Sequence, residues 1–424
     1  MLGITNSKGP ILNFGSHIPL SIPQDNRTFD CSLHHKGGTM SVTTDAWVLS
    51  KGKDAKSHEP ATLVQEQFTF DDISDQEVLV EPLYGCWEGN MSHALDRKPV
   101  DICWQRKEDK IVIGNAGVVR ILGCGRAVTT VREGDIALLF CNGKWDKFGY
   151  PEKILGYDAE GTIGLLAKQT KLHQLQVIPL PENTQFTPQQ WAAFSLRYIT
   201  AWSNWNLAYK TWRIQMTEED CPAPHVWGWG GGVSYAELAL AKFNGCRVAM
   251  LSSSDERLCE FKQMGILPID RRQFPDLEYD EQRYQSDPDY KKRYLESEKK
   301  FLALVYERTS GLGVSIFIDY VGSPVLRPTL KALARQGVVT TAGWKNGMTI
   351  ATLRAVECIN RHQHVHTHYA RYPQGRAAVR FAEDTGWIPN LNGHKEYSFD
   401  DIPQLARDYA DGKCSYFPIF KINA

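Results

Sequence analysis

Four glycines, Gly228, Gly230, Gly231 and Gly232, crowd the segment that begins at Val226. A turn this tight demands backbone angles, and a backbone approach to phosphate, that a Cβ would block. Residues 226–227 read as the end of a strand, 235–243 as an Ala/Leu-rich helix and 246–251 as the next strand. The helix start would offer free N–H groups and a positive dipole end to a pyrophosphate. Strand, glycine turn, helix and strand at this spacing predict a dinucleotide site, with Gly228, Gly230, Gly231, Gly232 and Val233 against the cofactor. Two residues are unusual for such a turn. Ser234 is read at the closing glycine's position, and bulky Trp229 is expected either to shield the nicotinamide side of the cleft or to obstruct the cofactor.

The second strand of this unit ends in Ser252, Ser253 and Ser254, where an NAD-preferring site usually carries an acid for the ribose hydroxyls. Hydroxyls there, with Arg257 nearby and Arg271 and Arg272 after the following strand, suit a 2′-phosphate, so NADPH is expected over NADH. Arg257 also fits a plain solvent-facing position on a helix. Further on, His362, His364, His366 and His368 point to one face at strand periodicity. A flat row on one strand makes a poor tetrahedral cage, so no metal is expected and His368 is the one imidazole expected to work.

These groups need a scaffold of more than one core, and 424 residues suggest two domains. With 42% hydrophobic and 23% charged residues and a net charge of −1, the chain reads as soluble and lacks the clustered cations a nucleic-acid partner needs. No apolar run approaches a membrane span, and the opening residues lack a charged region followed by an apolar block. The ten cysteines form no CxxC pair, so reduced thiols and a cytoplasmic location are expected. Residues 1–45 read as an irregular extension. Strands are predicted over 76–83, 110–113, 118–122 and 136–140, spaced as in a small barrel or sandwich, followed by helix from about 188 to 209. Strands at 315–320 and 337–342 around a helix at 325–335 continue a doubly wound parallel sheet. The charged stretch 276–302 reads as a helical insertion with a solvated face, and 416–422 as a strand returning to the first domain. The tryptophans from Trp191 to Trp227 are expected mostly in the domain junction's core, with an acyl pocket as the alternative.

The run from Gly117 through Gly123, Val128 and Val131 to Gly134-Asp135 resembles the barrel signature of the medium-chain dehydrogenase/reductase superfamily. Together with the glycine turn, the likeness covers residues 46–424. It implies a GroES-like β-barrel catalytic domain (46–208), a Rossmann NADP-binding domain (209–370) and a return to the catalytic domain (371–424). Pairing into a homodimer or homotetramer is expected by the same analogy. Gly114-Asn115-Ala116 stands where zinc-dependent members carry Gly-His-Glu, and only Cys86 and His93 fall near the first ligand region, so a zinc-independent enzyme is expected.

Within the superfamily the chain looks most like crotonyl-CoA carboxylase/reductases and related enoyl-thioester reductases. Leu155-Gly156-Tyr157-Asp158, the residues from Thr367 to Tyr372, and the charged insertion carry that likeness. It implies hydride delivery to the β-carbon of an α,β-unsaturated acyl thioester, on CoA or a carrier protein, then protonation or carboxylation at the α-carbon. His368 matches a histidine that orients carbon dioxide through water, Tyr157 and Asp158 match a Phe-Glu pair, and Asn90 falls near an asparagine that contacts carbon dioxide. A phenol and a shorter acid at 157–158 favour protonation, with Tyr157, or a water held by His368 and Asp158, as the acid. Tyr157 also fits a gap-filling aromatic at the barrel edge. The alternatives are a quinone or enone reductase, a dehydrogenase of specialised metabolites, and a non-catalytic scaffold.

Overall fold

The computed structural model describes residues 41–56, 58–343, 364–367 and 369–424. His362 and His368 lie outside the described residues. Strand Ser41–Ser50 begins ahead of the expected boundary at Ala46, because Val42 already pairs with Phe70 on the antiparallel strand Val64–Asp71.

The barrel is built around Glu77–Cys86, which pairs antiparallel with Gly117–Cys124, Thr170–His173 and Ile419–Lys421. Its sequence alternates because Val78 and Val80 point into the core while Leu79 and Glu81 are half-buried. Pro82, which cannot donate to a ladder, falls at a register shift against Gly117–Cys124. Asp135 closes the turn that follows by accepting from the Arg132 amide at 2.7 Å.

Beyond the helix Arg197–Gln215 lies a six-stranded, all-parallel sheet. Its order is Leu267–Asp270, Arg247–Ser252, His225–Trp229, Val314–Asp319, Leu333–Thr341, His364–Thr367. In sequence terms this is 3-2-1-4-5-6, the doubly wound order whose direction reverses between the first and fourth strands. The charged stretch does more than present a solvated face. Helix Pro288–Arg308 is the crossover between Leu267–Asp270 and Val314–Asp319, and it buries Tyr290, Tyr294, Phe301 and Val305. The helix expected to reach residue 335 stops at Ala332, because the next strand starts at Leu333, with a kink at left-handed Gln336. After Arg371 the helix Tyr372–Thr385 packs on Arg197–Gln215, where the Phe381 and Trp202 rings lie 4.8 Å apart. Trp191, Trp205, Trp212 and Trp227 are all core residues.

Candidate functional site

Strand His225–Trp229 ends in Gly230, whose φ of +115° suits glycine, and helix Gly232–Phe243 starts two residues on. A side chain at Gly230 would meet the Ser234 hydroxyl at 2.9 Å and Tyr320 Cβ at 3.2 Å. Tyr320 follows the fourth strand, so the glycine turn lies at the switch point of the sheet, where ligands of open α/β folds bind. Counted from Gly228 and Gly230, the closing position of the fingerprint is Val233, one residue before the Ser234 assigned from the sequence. Ser234 instead acts locally, buried with its hydroxyl donating to the Trp229 carbonyl at 2.5 Å.

Trp229 neither shields nor blocks the cleft. Alternation along the strand sends Trp227 and Trp229 to the face covered by Pro288–Arg308, and Gly228 to the face covered by Leu238. The Trp229 indole is 2% exposed, stacks on Phe317 at 5.7 Å and donates to Thr329 Oγ1 at 2.7 Å. It is core.

The serine run serves the backbone first. Ser252 Oγ accepts from the Ser254 amide, and Ser254 caps helix Asp255–Gln263 by accepting from the Arg257 amide. Ser253 is exposed. The guanidiniums offered for a 2′-phosphate already have partners. Arg257 lies 4.3 Å over the Tyr416 ring, Arg271 pairs with Glu278 at 2.6 Å, and Arg272 is held by Asp255 and Asp270.

Tyr157 and Asp158 occupy a turn pressed onto the barrel. Gly156 is left-handed (φ +59°), and a Cβ there would strike the Gly114 carbonyl at 2.7 Å. The buried Arg106 guanidinium pins this turn by donating to the carbonyls of Tyr157 and Thr162. Burial, then the charges of Asp158 and Tyr369, push the Tyr157 phenol up to about 12, so it carries its proton at neutral pH. Asp158 spends one oxygen on the Ile154 amide at 2.6 Å. The structure therefore groups Tyr157 and Asp158 with Tyr369, and Tyr369 in turn feels Cys141. Asn90 belongs to a neighbouring group: it follows Glu88 on helix Gly89–Asp96, and its Oδ1 is buried without a partner.

That neighbouring group was not read from the sequence. Arg197, 4% exposed, donates to Cys86 Sγ at 2.6 Å and the Trp87 carbonyl at 2.7 Å, and pairs with Glu88 at 3.2 Å. Burial raises Glu88 to about 7 even though Arg197 opposes the shift. Burial and then the Glu88 charge push Cys141 to about 12, which links this group to the Tyr157 group. Cys86 thus faces a guanidinium, and among the described residues no three His, Cys, Asp or Glu side chains gather as a metal cage. A second buried network backs the glycine turn. Asn204 donates to the Tyr320 hydroxyl, which donates to Glu237 on helix Gly232–Phe243, both at 2.5 Å. Glu237 is fully buried, and burial raises it well above the usual carboxylate range.

At the same switch point Asp319 accepts from the amides of Val321 (2.9 Å) and Gly322 (3.0 Å). Burial still raises it to about 6 from 3.8. A carboxyl whose pKa is higher folded than unfolded favours the fold below the unfolded value, and that contribution is lost as pH rises through the folded one. Between about 4 and 6 the urea midpoint should therefore fall with pH, Asp319 supplying about 1.4 kcal/mol per pH unit in that window. Asp319→Asn, which keeps an oxygen for both amides, should make the slope shallower by that amount, with buried Glu88 and Glu237 supplying the remainder. An unchanged slope in that variant would remove Asp319 as its source.

No family model and no curated protein sequence matches the chain. Solved structures do. The 2-octenoyl-CoA carboxylase reductase CinF, in complex with NADP and 2-octenoyl-CoA, superposes with a TM-score of 0.72 at 17% identity, over 90% of this chain and 88% of that one. The crotonyl-CoA carboxylase/reductase AntE with NADP gives 0.72 at 18% identity, over 93% and 98%. A thermostable alcohol dehydrogenase from Pyrobaculum aerophilum gives 0.65 at 16%, over 90% and 100%. The chain has the fold of these proteins, a barrel domain joined to a doubly wound sheet.

Proposed function

We propose that this chain, built on the medium-chain dehydrogenase/reductase fold, is an NADPH-dependent reductase of α,β-unsaturated acyl thioesters. The observation that carries this reading is the left-handed Gly230 at the switch point of a 3-2-1-4-5-6 parallel sheet, directly ahead of a twelve-residue helix. By residue type and place in the sheet the glycine turn and serine run suit a dinucleotide, although Tyr416 and Phe417 lie against Gly231 and Gly232. Gly228, Gly230, Gly231, Gly232 and Val233 would line its pyrophosphate, and Ser252, Ser253, Ser254, Arg257 and Arg271 its 2′-phosphorylated ribose. Similar structures that hold NADP, one of them with an enoyl-CoA, support the choice of cofactor and substrate class.

When bound, NADPH supplies hydride chemistry at the β-carbon of the enoyl thioester. The protein's part is the proton. Tyr157, kept in its neutral form, donates to the substrate α-carbon, and the Gly156 turn with Arg106 behind it fixes where the phenol points. Asp158 closes that turn, and we assign His368 and Asn90 to a water or carbon dioxide at the same carbon. Carboxylation is the secondary outcome, and coenzyme A the first handle to test.

The assay is NADPH oxidation with crotonyl-CoA, with and without bicarbonate. Turnover is expected, and Tyr157→Phe should lower kcat about 10²-fold with little change in KM. Inactivity on the thioester with activity on a free enone would overturn the substrate class. A second reading, a non-catalytic scaffold, is favoured by one observation: the chain's own side chains lie against Gly231 and Gly232.

A further inference from the structure

The glycines that should admit a pyrophosphate are covered. A Cβ at Gly232 would meet Phe417 Cε1 at 2.9 Å, the Tyr416 carbonyl at 3.1 Å and Arg197 Cδ at 2.8 Å, and one at Gly231 would meet Tyr416 Cδ1 at 3.9 Å. Tyr416 and Phe417 belong to residues 411–418, which join helix Ile402–Ala410 to strand Ile419–Lys421 without regular structure. Tyr416 is 5% exposed and lies between Tyr235 at 5.7 Å and Phe261 at 6.2 Å. Arg257, the cation nearest the serine run, is turned onto the Tyr416 ring and donates to the Cys414 carbonyl at 3.4 Å.

We propose that residues 411–418 form a built-in strap that competes with the dinucleotide: Tyr416 and Phe417 fill the space over Gly231 and Gly232, Tyr416 engages Arg257, and cofactor enters only when the strap withdraws. The inference rests on the dinucleotide reading above and adds a closed state to it. Side-chain packing, and not backbone hydrogen bonding, holds this segment closed. Among the described residues, no backbone carbonyl accepts from the amides of residues 414–417, whereas both flanks are anchored, by the Lys413 amide on Asp408 and the Pro418 carbonyl on Trp87. Segments with few backbone bonds open well below the global unfolding free energy. A closed strap also lowers apparent affinity in proportion to the fraction of open protein.

The test is stopped-flow tryptophan fluorescence on the full chain with NADPH, alongside amide hydrogen exchange. In the wild type the observed rate should saturate with NADPH, as expected for a preceding opening step, and the amides of 411–417 should exchange faster when NADPH is present. Tyr416→Ala should bind at least about tenfold tighter and lose the saturation, while Tyr416→Phe should behave as wild type. If the wild type binds in one step and the strap amides become more protected, the proposal fails and the dinucleotide reading stands. It fails in the same way if folded Tyr416→Ala binds no tighter. If neither protein binds NADPH, both fall. Should Tyr416→Ala not fold, the wild-type exchange result decides alone.

Discussion

Trp229→Ala should lower the unfolding free energy by about 3–5 kcal/mol, the range for deleting a large buried aromatic. The indole is enclosed by Phe301 at 5.4 Å and Phe317 at 5.7 Å, both fully buried, on a sheet face closed by a long crossover helix. Nothing nearby can relax into the vacated volume without moving that helix off the sheet. Thr329 keeps its own bond to the Val325 carbonyl at 2.7 Å, so Trp229→Phe, which forfeits only the indole donor and part of the ring, should cost closer to about 1 kcal/mol. Urea denaturation of both variants measures this. NADPH titration beside it separates the alternatives. A cleft residue would change cofactor affinity at little cost in stability, whereas a core residue does the reverse, and the second pattern is expected here.

The contrast between Trp229 and its neighbours explains what could be read from the chain. The glycine turn was legible because Gly230 stands where the backbone itself demands glycine, and such demands act within a few residues. The direction of Trp229 was not. In a strand buried on both faces, alternation does not separate one face from the other, since every residue of His225–Trp229 is buried. The segment around Tyr157 was singled out by resemblance alone; that Gly156 is left-handed and presses onto Gly114 emerges only in the fold. The groups around it were scattered over the chain. Arg197, Cys86 and Glu88 meet across 111 positions of sequence, and Asn204, Glu237 and Tyr320 across 116. A weak trace existed, because Glu237 sits in an otherwise Ala/Leu-rich helix and Arg197 in an aromatic one, each an ionisable group at a core position. The strap left none, since Tyr416-Phe417-Pro418 reads as part of an ordinary terminal strand over 416–422.

Arg197→Met should be as damaging as the loss of Trp229, for an electrostatic reason. A buried ion pair adds little over a well-packed apolar pair, but removing one partner strands the other and costs about 3–5 kcal/mol. Here the stranded groups are Glu88, 5% exposed with one oxygen already lacking a hydrogen-bond partner, and the Trp87 carbonyl. Glu88→Gln should cost less, because Arg197 keeps Cys86 and that carbonyl. The double variant should be more stable than the sum of the two losses, with a coupling of about 1–3 kcal/mol in a double-mutant cycle. The pH dependence separates charge from packing. Glu88 already titrates near 7 in the fold against 4.5 for a free carboxyl, and Arg197 is what holds it down against burial. Without the guanidinium the folded pKa rises further, so the native state must either bind a proton or bury a bare charge. Its disadvantage relative to wild type then grows with pH above about 7, by up to about 1.4 kcal/mol per unit until the new pKa is reached. Urea midpoints for wild type, Arg197→Met and the double variant at pH 6, 7 and 8 measure that divergence. A cost independent of pH would mean that the Arg197 stem against Gly232 and Phe417, and not its charge over Glu88, holds the barrel strand to the glycine turn.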